Sequence, residues 1–463
     1  MRRTAAENVA EGGRNSQQWR RLIAWFSLAG QVISTAGTGL HLRSISLIKQ
    51  GDDALDAILE TFDSAAVPKG YWQGSHRSVE PIKTIRRVRP LMSKMGITRI
   101  ANVTGLDRIG IPVVMVCRPN SRSIAVCQGK GIDSDAATAS GLMEAAEIHH
   151  AEHVNLPLRL ASFTEMSRDH PVIDVAQLPR VHGRRYDSDL VMLWIEGFNL
   201  IDRQRLWLPF EMVRANYTLP LPPGSGCFDA STNGLASGNH ILEAVSHGIC
   251  EIIERDANTL WNRLDSVARD QTQLDLDTID DGTCQGILQR LVAAEFDVTA
   301  WETTSDTGVP AFFCVLSDSL QHQAHIGVGS GCHPARNIAL LRALTEAVQV
   351  RTTYISGARD DLMPEEYGEP LLARRAAWAR QLKGSTPARA YCNGPDYHSD
   401  SFNEDVAWLL QQICRVGIEQ VVAVNLTRPG IDIPVVRIVI PGLEGPDDHD
   451  GYVPGERVLR QSG

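Results

Sequence analysis

Between residues 239 and 256 the chain reads NHILEAVSHGICEIIERD. Wound as an α-helix at about 100° per residue, this stretch sorts into two faces. Glu243, His247, Glu251 and Glu254 share one arc with Asn239 beside them, and Ile241, Leu242, Val245, Ile249, Ile252 and Ile253 fill the other. The apolar side predicts a helix docked on a core. The acidic side repels itself, and Arg255 stands at the right spacing to relieve only Glu251. A solvated acidic surface is the ordinary explanation of such a stripe. Two further stretches repeat the pattern, however. Ser140, Glu144 and Glu147 share a face of a helix predicted over 135–154, and Arg342, Glu346, Gln349 and Thr353 share one over 335–355. Carboxylates and amides converging from several helices are what Mg²⁺ requires, because it is held through oxygens shared with a phosphate ligand.

Other chemistries fit less well. No GxxxxGK[ST] is present, so a P-loop is excluded. Gly327-Val328-Gly329-Ser330-Gly331 lacks an acidic partner at ribose spacing and reads as a strand entering a glycine turn. Gly129-Lys130-Gly131 can bring a lysine to a phosphate. His149 and His153 stand at i, i+4, a zinc-chelating spacing, but without the HExxH order they read as a histidine-rich helix end. Cys227, Cys250 and Cys332 lie near the motifs and read as packed thiols.

The elements that must position these residues belong to an α/β chain of mixed α+β character. Strands are expected at 99–103, 111–116, 122–127, 190–197, 205–212, 298–303, 309–318, 325–331, 420–426 and 435–440, with further helices within 274–295 and at 371–382 and 404–416. Three times a strand or glycine turn leads into a helix bearing Glu-x-x-Glu or Glu-x-x-Gln, a weak internal repeat that one compact assembly over 68–463 explains. Residues 1–67 form a poorly specified N-terminal extension with a short amphipathic piece at 53–62. Its uncharged run Leu22–Leu40 is too rich in Ser, Thr and Gly to read as a membrane segment. The formal charge of −10 argues against nucleic acid or anionic membrane as partner. Nine scattered cysteines without a CxxC fit a reducing cytoplasm.

Taken together, Ser140-x3-Glu144-x2-Glu147, Asn239-x3-Glu243-x7-Glu251-x2-Glu254-Arg255 and Glu346-x2-Gln349-x-Arg351 closely resemble the YcaO family. The resemblance extends to GKG at 129–131, to Asn233-Gly234-Leu235-Ala236 and to His333-Pro334, and spans roughly 69–444. The stretch GITRIANVTGLDRIGIPVV at 96–114, with Gly74-Ser75-His76-Arg77 upstream, is similar to the subgroup that works with a TfuA partner. The resemblance implies an ATP- and Mg²⁺-dependent enzyme that phosphorylates a backbone amide oxygen of a peptide or protein. Displacement by a neighbouring Cys, Ser or Thr then gives an azoline, and displacement by sulfide gives a thioamide. It further implies that Glu144, Glu147, Glu243, Glu251 and Glu254 serve Mg²⁺. Ser140, Asn239, Arg255, Glu346 and Gln349 would contact the nucleotide, with Lys130 and Arg77 as further phosphate ligands. Family members are often homodimers. Two departures stand out: Ile148 occupies a position where the first motif usually has Arg, and the tail lacks the Pro-x-Pro-x-Pro end of many azoline-forming members. The second tilts the expectation toward thioamidation with a TfuA-like partner. The first keeps open a non-catalytic, nucleotide- or peptide-binding accessory role.

Overall fold

A computed structural model describes residues 65–72, 74–320, 325–384 and 386–461. The uncharged run and the amphipathic piece expected near the N-terminus lie outside the described residues. The first described helix, Pro81–Val88 (α1), has no counterpart among the helices expected above. Its signals were nonetheless present: Pro at the first turn, where the missing N–H costs nothing, and Arg86 and Arg87 at the negative end of the dipole.

Two similar units follow. In the first, Arg99–Asn102 (β1), Val113–Cys117 (β2) and Val126–Lys130 (β3) form an antiparallel sheet, and Ser134–Glu152 (α2) packs on it. Far along the chain, Phe296–Glu302, Ala311–Asp318 and Gly327–Cys332 form a second antiparallel sheet, covered by the helix Arg336–Ser356. The last strand and helix of the two units superpose in sequence. Gly129 and Gly331, Ser134 and Arg336, and Glu144 and Glu346 are each 202 residues apart. Both glycines are there for close approach. A Cβ on Gly129 would lie 2.0 Å from the Ala137 carbonyl oxygen, and one on Gly331 would lie 2.0 Å from that of Ala339.

Between and after these units the chain builds a six-stranded sheet. It contains Leu158–Ala161 (β4), Met192–Asn199 (β5), Arg205–Pro209 (β6) and Leu235–Ser237 (β7). Ile241–Asn262 (α3) and Gly282–Ala293 (α4) come next, and the second unit just described supplies β8, β9, β10 and α5. Glu369–Leu382 (α6) and Phe402–Arg415 (α7) precede the last two strands, Val422–Asn425 (β11) and Val435–Val439 (β12). Pairing runs β4-β5-β11-β12-β7, with β6 on β5. Helix α3 docks its apolar face on this sheet, where Val245, Ile249 and Ile253 are fully buried with Val436 and Ile438.

The structure moves several expected boundaries. The strand expected at 122–127 occurs at Val126–Lys130, because Ser121–Ser123 instead turn to hydrogen-bond the buried Glu152 carboxylate. The glycines of 327–331 lie within β10 rather than in a turn, since the backbone of α5 crosses directly over them. Strand β4 and the capping-box helix Phe163–Asp169 carried no periodic signal long enough to read. Arg351, grouped with the third motif, faces away from the other motif residues. Its guanidinium pairs with Asp107 at 2.6 Å and Asp318 at 3.0 Å and tethers α5 to the loop after β1 and to the last residue of the strand Ala311–Asp318.

Candidate nucleotide and metal site

Helices α2, α3 and α5 turn their polar faces to one cavity of about 660 Å³. It is lined by Glu144, Glu147 and Ser140 from α2, and by Glu243, Glu251, Glu254 and Arg255 from α3. Glu346 and Gln349 come from α5, Lys130 from β3, and Arg77 from the segment before α1. Asn239 is the exception among the residues singled out in sequence. It does not line the cavity; its Nδ2 donates to Glu243 at 3.3 Å and its Oδ1 accepts from Thr84 at 3.0 Å, so it braces Glu243 from behind.

Four of the carboxylates, Glu144, Glu147, Glu243 and Glu346, are held by backbone or hydroxyl donors. The Gln128 N–H donates to Glu144 at 3.3 Å. Ser237 gives Glu147 both its N–H, at 2.8 Å, and its hydroxyl, at 2.7 Å. Ser78 does the same for Glu243, at 3.1 and 2.7 Å. In the second unit the Ser330 N–H donates to Glu346 at 3.3 Å, the counterpart of the Gln128–Glu144 bond.

Charge is distributed unevenly over this frame. Burial pushes the Glu144 carboxyl up to about 7, and pushes Glu147 up to about 8 with help from Glu144 and Glu251. Burial likewise raises Glu251 to about 7, although Arg255 works against it. Glu254 is raised by burial and by Glu346, with Arg255 3.6 Å away in opposition. Glu346 behaves in the opposite way. Burial would raise it, but its ion pair with Lys130, together with Arg255, holds it below the ordinary carboxylate range. Four carboxylates thus crowd together with too few cations to ionise freely, and all donors are hard oxygens. That donor set fits Mg²⁺, which favours the ionised form and supplies the missing positive charge.

Several lining residues were not singled out as site residues. Arg342 and His247 were visible on the helical faces; the Arg342 guanidinium donates to His247 Nε2 at 2.9 Å, which fixes that imidazole as a neutral acceptor. Burial and the Arg342 charge push His247 well below its ordinary value. Gln128 alternates with Lys130 on β3, a period-2 signal that the neighbouring glycines obscured. Arg359 and Asp448 arrive on loops and had no local signal. Arg359 is one of two cations acting on Glu144, so positive charge reaches α2 from the turn after α5 although Ile148 brings none. The remaining candidates resolve as packing. Glu152 between His149 and His153 is consumed by Arg118 at 2.5 Å and by Ser123. Cys332 lines the cavity wall, with its thiol pushed up by burial.

Residues 128–444 match the family model described as YcaO cyclodehydratase, ATP- and Mg²⁺-binding. The chain belongs to the YcaO family. The match begins at Gln128 and takes in all three acidic helices, and ATP and Mg²⁺ are accordingly its cofactors. The chain is 34% identical over 379 residues to an uncharacterized protein in the tfuA 3′ region of Rhizobium leguminosarum bv. trifolii, covering 80% of this chain and 88% of that one. An uncharacterized protein of Methanothermobacter thermautotrophicus is 34% identical over 384 residues, covering 80% and 95%. Among solved structures, YcaO from Methanopyrus kandleri bound with AMPPCP and Mg²⁺ aligns with TM-score 0.63 and 22% identity over 82% of this chain and 95% of that one. A heterocyclase in complex with substrate and cofactor aligns with TM-score 0.70 and 23% identity. There the match covers 82% of this chain but only 54% of the heterocyclase, about half its length. These two likenesses establish the YcaO fold. No helix among the described residues is long and apolar enough to cross a membrane.

Proposed function

We propose that this YcaO protein uses ATP with Mg²⁺ to phosphorylate a backbone amide oxygen of a peptide or protein, and that with a TfuA-like partner it forms a thioamide. The observation that carries the reading is the convergence of under-compensated carboxylates with Arg77 and Arg342 in one cavity. When bound, ATP supplies the phosphoryl group that turns a poor leaving group into a good one, and Mg²⁺ spreads the charge of the transfer. The chain's own residues provide position. Glu144, Glu147, Glu243, Glu251 and Glu254 hold the metal, and Asn239 and Ser78 orient Glu243 for it. Arg77, Lys130, Arg255 and Ser140 meet the nucleotide's polar groups, with Glu346 and Gln349 beside them. The tfuA-region relative supports the partner and hence the sulfur-transferring outcome over azoline formation.

Thermal unfolding of the full chain with Mg²⁺, with and without ATP, tests the site. Saturation at 100 times the dissociation constant stabilises the native state by about 2.7 kcal/mol. The gain should vanish in Glu251→Ala, and an undiminished shift in that variant would refute the metal assignment. Mass spectrometry of a candidate peptide treated with the chain, its partner, ATP and sulfide decides the product. Replacement of oxygen by sulfur supports the thioamide, whereas loss of water means azoline formation.

A further inference from the structure

Two imidazoles, His76 and His333, line the cavity together with Arg77 and Arg342, and neither is among the nucleotide or metal ligands named above. Their rings meet edge to face with centroids 5.1 Å apart. His76–Arg77 pairs antiparallel with Gly70–Tyr71, and Lys69, just before that pair, puts its ammonium on the Asp405 carboxylate of α7 at 2.6 Å. The two side chains are 1% and 0% exposed, and the Ser399 hydroxyl also donates to Asp405, at 2.8 Å. A ring nitrogen of His76, one of His333 and an oxygen of Asp405 lie within 4.8 Å of one another. By residue type such a trio suits zinc. Two features argue for a different use. Lys69 already satisfies Asp405. The Ala335 N–H donates to His333 Nδ1 at 2.9 Å, so the neutral ring carries its proton on Nε2, the nitrogen a metal would need.

His76 thus has a donor, His333, and an acceptor, Asp405, beside it, and its Nδ1 has no hydrogen-bond partner among the described residues. Neither neighbour locks one tautomer. Burial, with Lys69 and His398 adding to it, pushes the ring down to about 4, so it stands neutral near pH 7. The negative charge of a triphosphate held by the adjacent Arg77 acts in the opposite direction. We propose that His76 is a catalytic residue that takes the N–H proton of the substrate amide as the amide oxygen is phosphorylated, and returns it when phosphate leaves. The inference rests on the amide phosphorylation proposed above. Protons and bonds balance. As the amide oxygen bonds to phosphorus and the bond from phosphorus to ADP breaks, nitrogen gives its proton to His76. As hydrosulfide adds to the amide carbon and the carbon–oxygen bond breaks, His76 gives that proton back to nitrogen. The sulfhydryl proton leaves with phosphate. A neutral imidazole that lines the cavity and is locked by neither neighbour can do both.

The test uses a synthetic peptide that the wild-type protein thioamidates with its partner and sodium sulfide. ADP formation on that peptide is followed in a single turnover without sulfide, which isolates the phosphorylation. His76→Ala should form ADP more slowly by about 100-fold or more, while its Kd for ATP with Mg²⁺, by calorimetry, stays within about twofold of wild type. Added imidazole should restore part of the lost rate. His76→Gln fills the space of the ring and should be as slow without responding to imidazole. A rate within about threefold of wild type in either variant would overturn the proposal. So would a loss of ATP affinity as large as the loss of rate, which would make His76 a nucleotide-binding residue. Zinc retained by the purified wild type and lost from His76→Ala would overturn it in favour of a metal site. A wild-type chain that converts no peptide refutes the amide reading itself, whereas conversion that survives in both variants removes only the role of His76.

Discussion

The unit ending in α2 and the unit ending in α5 share one construction and differ in charge. Each places a strand with a glycine under its helix, and each donates a strand N–H to a Glu ten residues into that helix: Gln128 to Glu144 and Ser330 to Glu346. Yet Glu144 is pushed up to about 7 while Glu346 is held low, because β3 sends Lys130 across the cavity to Glu346. At the position equivalent to Lys130, β10 carries the buried Cys332 and returns no cation. The two halves are therefore a matched frame with one side short of positive charge. A shortage of that kind weakens the unliganded protein and favours cation binding, which is how a metal site differs from an ion-pair network.

Attacking the shared frame should have the largest effect. Gly129→Ala and Gly331→Ala each drive a methyl into helix backbone, a collision that small shifts cannot relieve. Both should cost several kcal/mol, about 3 or more, and leave little folded protein by circular dichroism. If either variant melts like wild type, the close strand–helix packing is wrong. Arg351→Ala comes next. It strands Asp107 without its buried partner, whereas Asp318 keeps Arg108, and should cost about 3 kcal/mol in urea unfolding while leaving ATP affinity unchanged. A loss of ATP affinity in the folded variant would return Arg351 to the site.

Matched substitutions separate the halves more finely. Glu144→Gln removes a carboxylate that resists ionisation, so the unliganded protein should gain about 1 kcal/mol at pH 8 as ATP turnover is lost. Glu346→Gln strips Lys130 of its partner and should instead lose about 1–2 kcal/mol. Equal signs in the two denaturation curves would dissolve the distinction. The smallest effect is a pH trend. Glu144, Glu147 and Glu251 have native values above the ordinary 4.5, so the native state holds more protons than the unfolded chain between about pH 4.5 and 8. Stability from these groups is present at low pH and is lost as pH rises through 7 to 8. The melting temperature without metal should fall by a few degrees, roughly, from pH 6 to 8, and Mg²⁺ should restore more of it at pH 8 than at pH 6. A metal effect that does not grow with pH would remove the carboxylates as its cause.

Much of the site was legible because helical periodicity is a local property. The faces carrying Ser140, Glu144 and Glu147, or Glu243, Glu251 and Glu254, follow from 3.6 residues per turn, and each set lines the cavity. Asn239, which the sequence pattern put on the same helical face, precedes α3 and its His240 N-cap, and only packing shows that it supports Glu243 from outside. Arg351 illustrates the converse. Its helical position already set it on the apolar side, and the structure supplies the reason in two aspartate side chains, Asp107 from the loop after β1 and Asp318 from the end of β9.

By itself the sequence determined three acidic amphipathic helices, the mixed α/β class, the glycines that let strand and helix touch, and a family resemblance that the match over residues 128–444 bears out. Only the tertiary structure decided which carboxylate is paired and which is not. Lys130 and Glu346 are 216 residues apart and meet across a cavity, and Arg359 and Asp448 reach it from segments with no periodic signal. The division has a physical cause. Secondary structure is set by neighbours within a turn or two, whereas a buried charge takes its character from whatever the fold brings within a few ångströms, however far away in sequence it began.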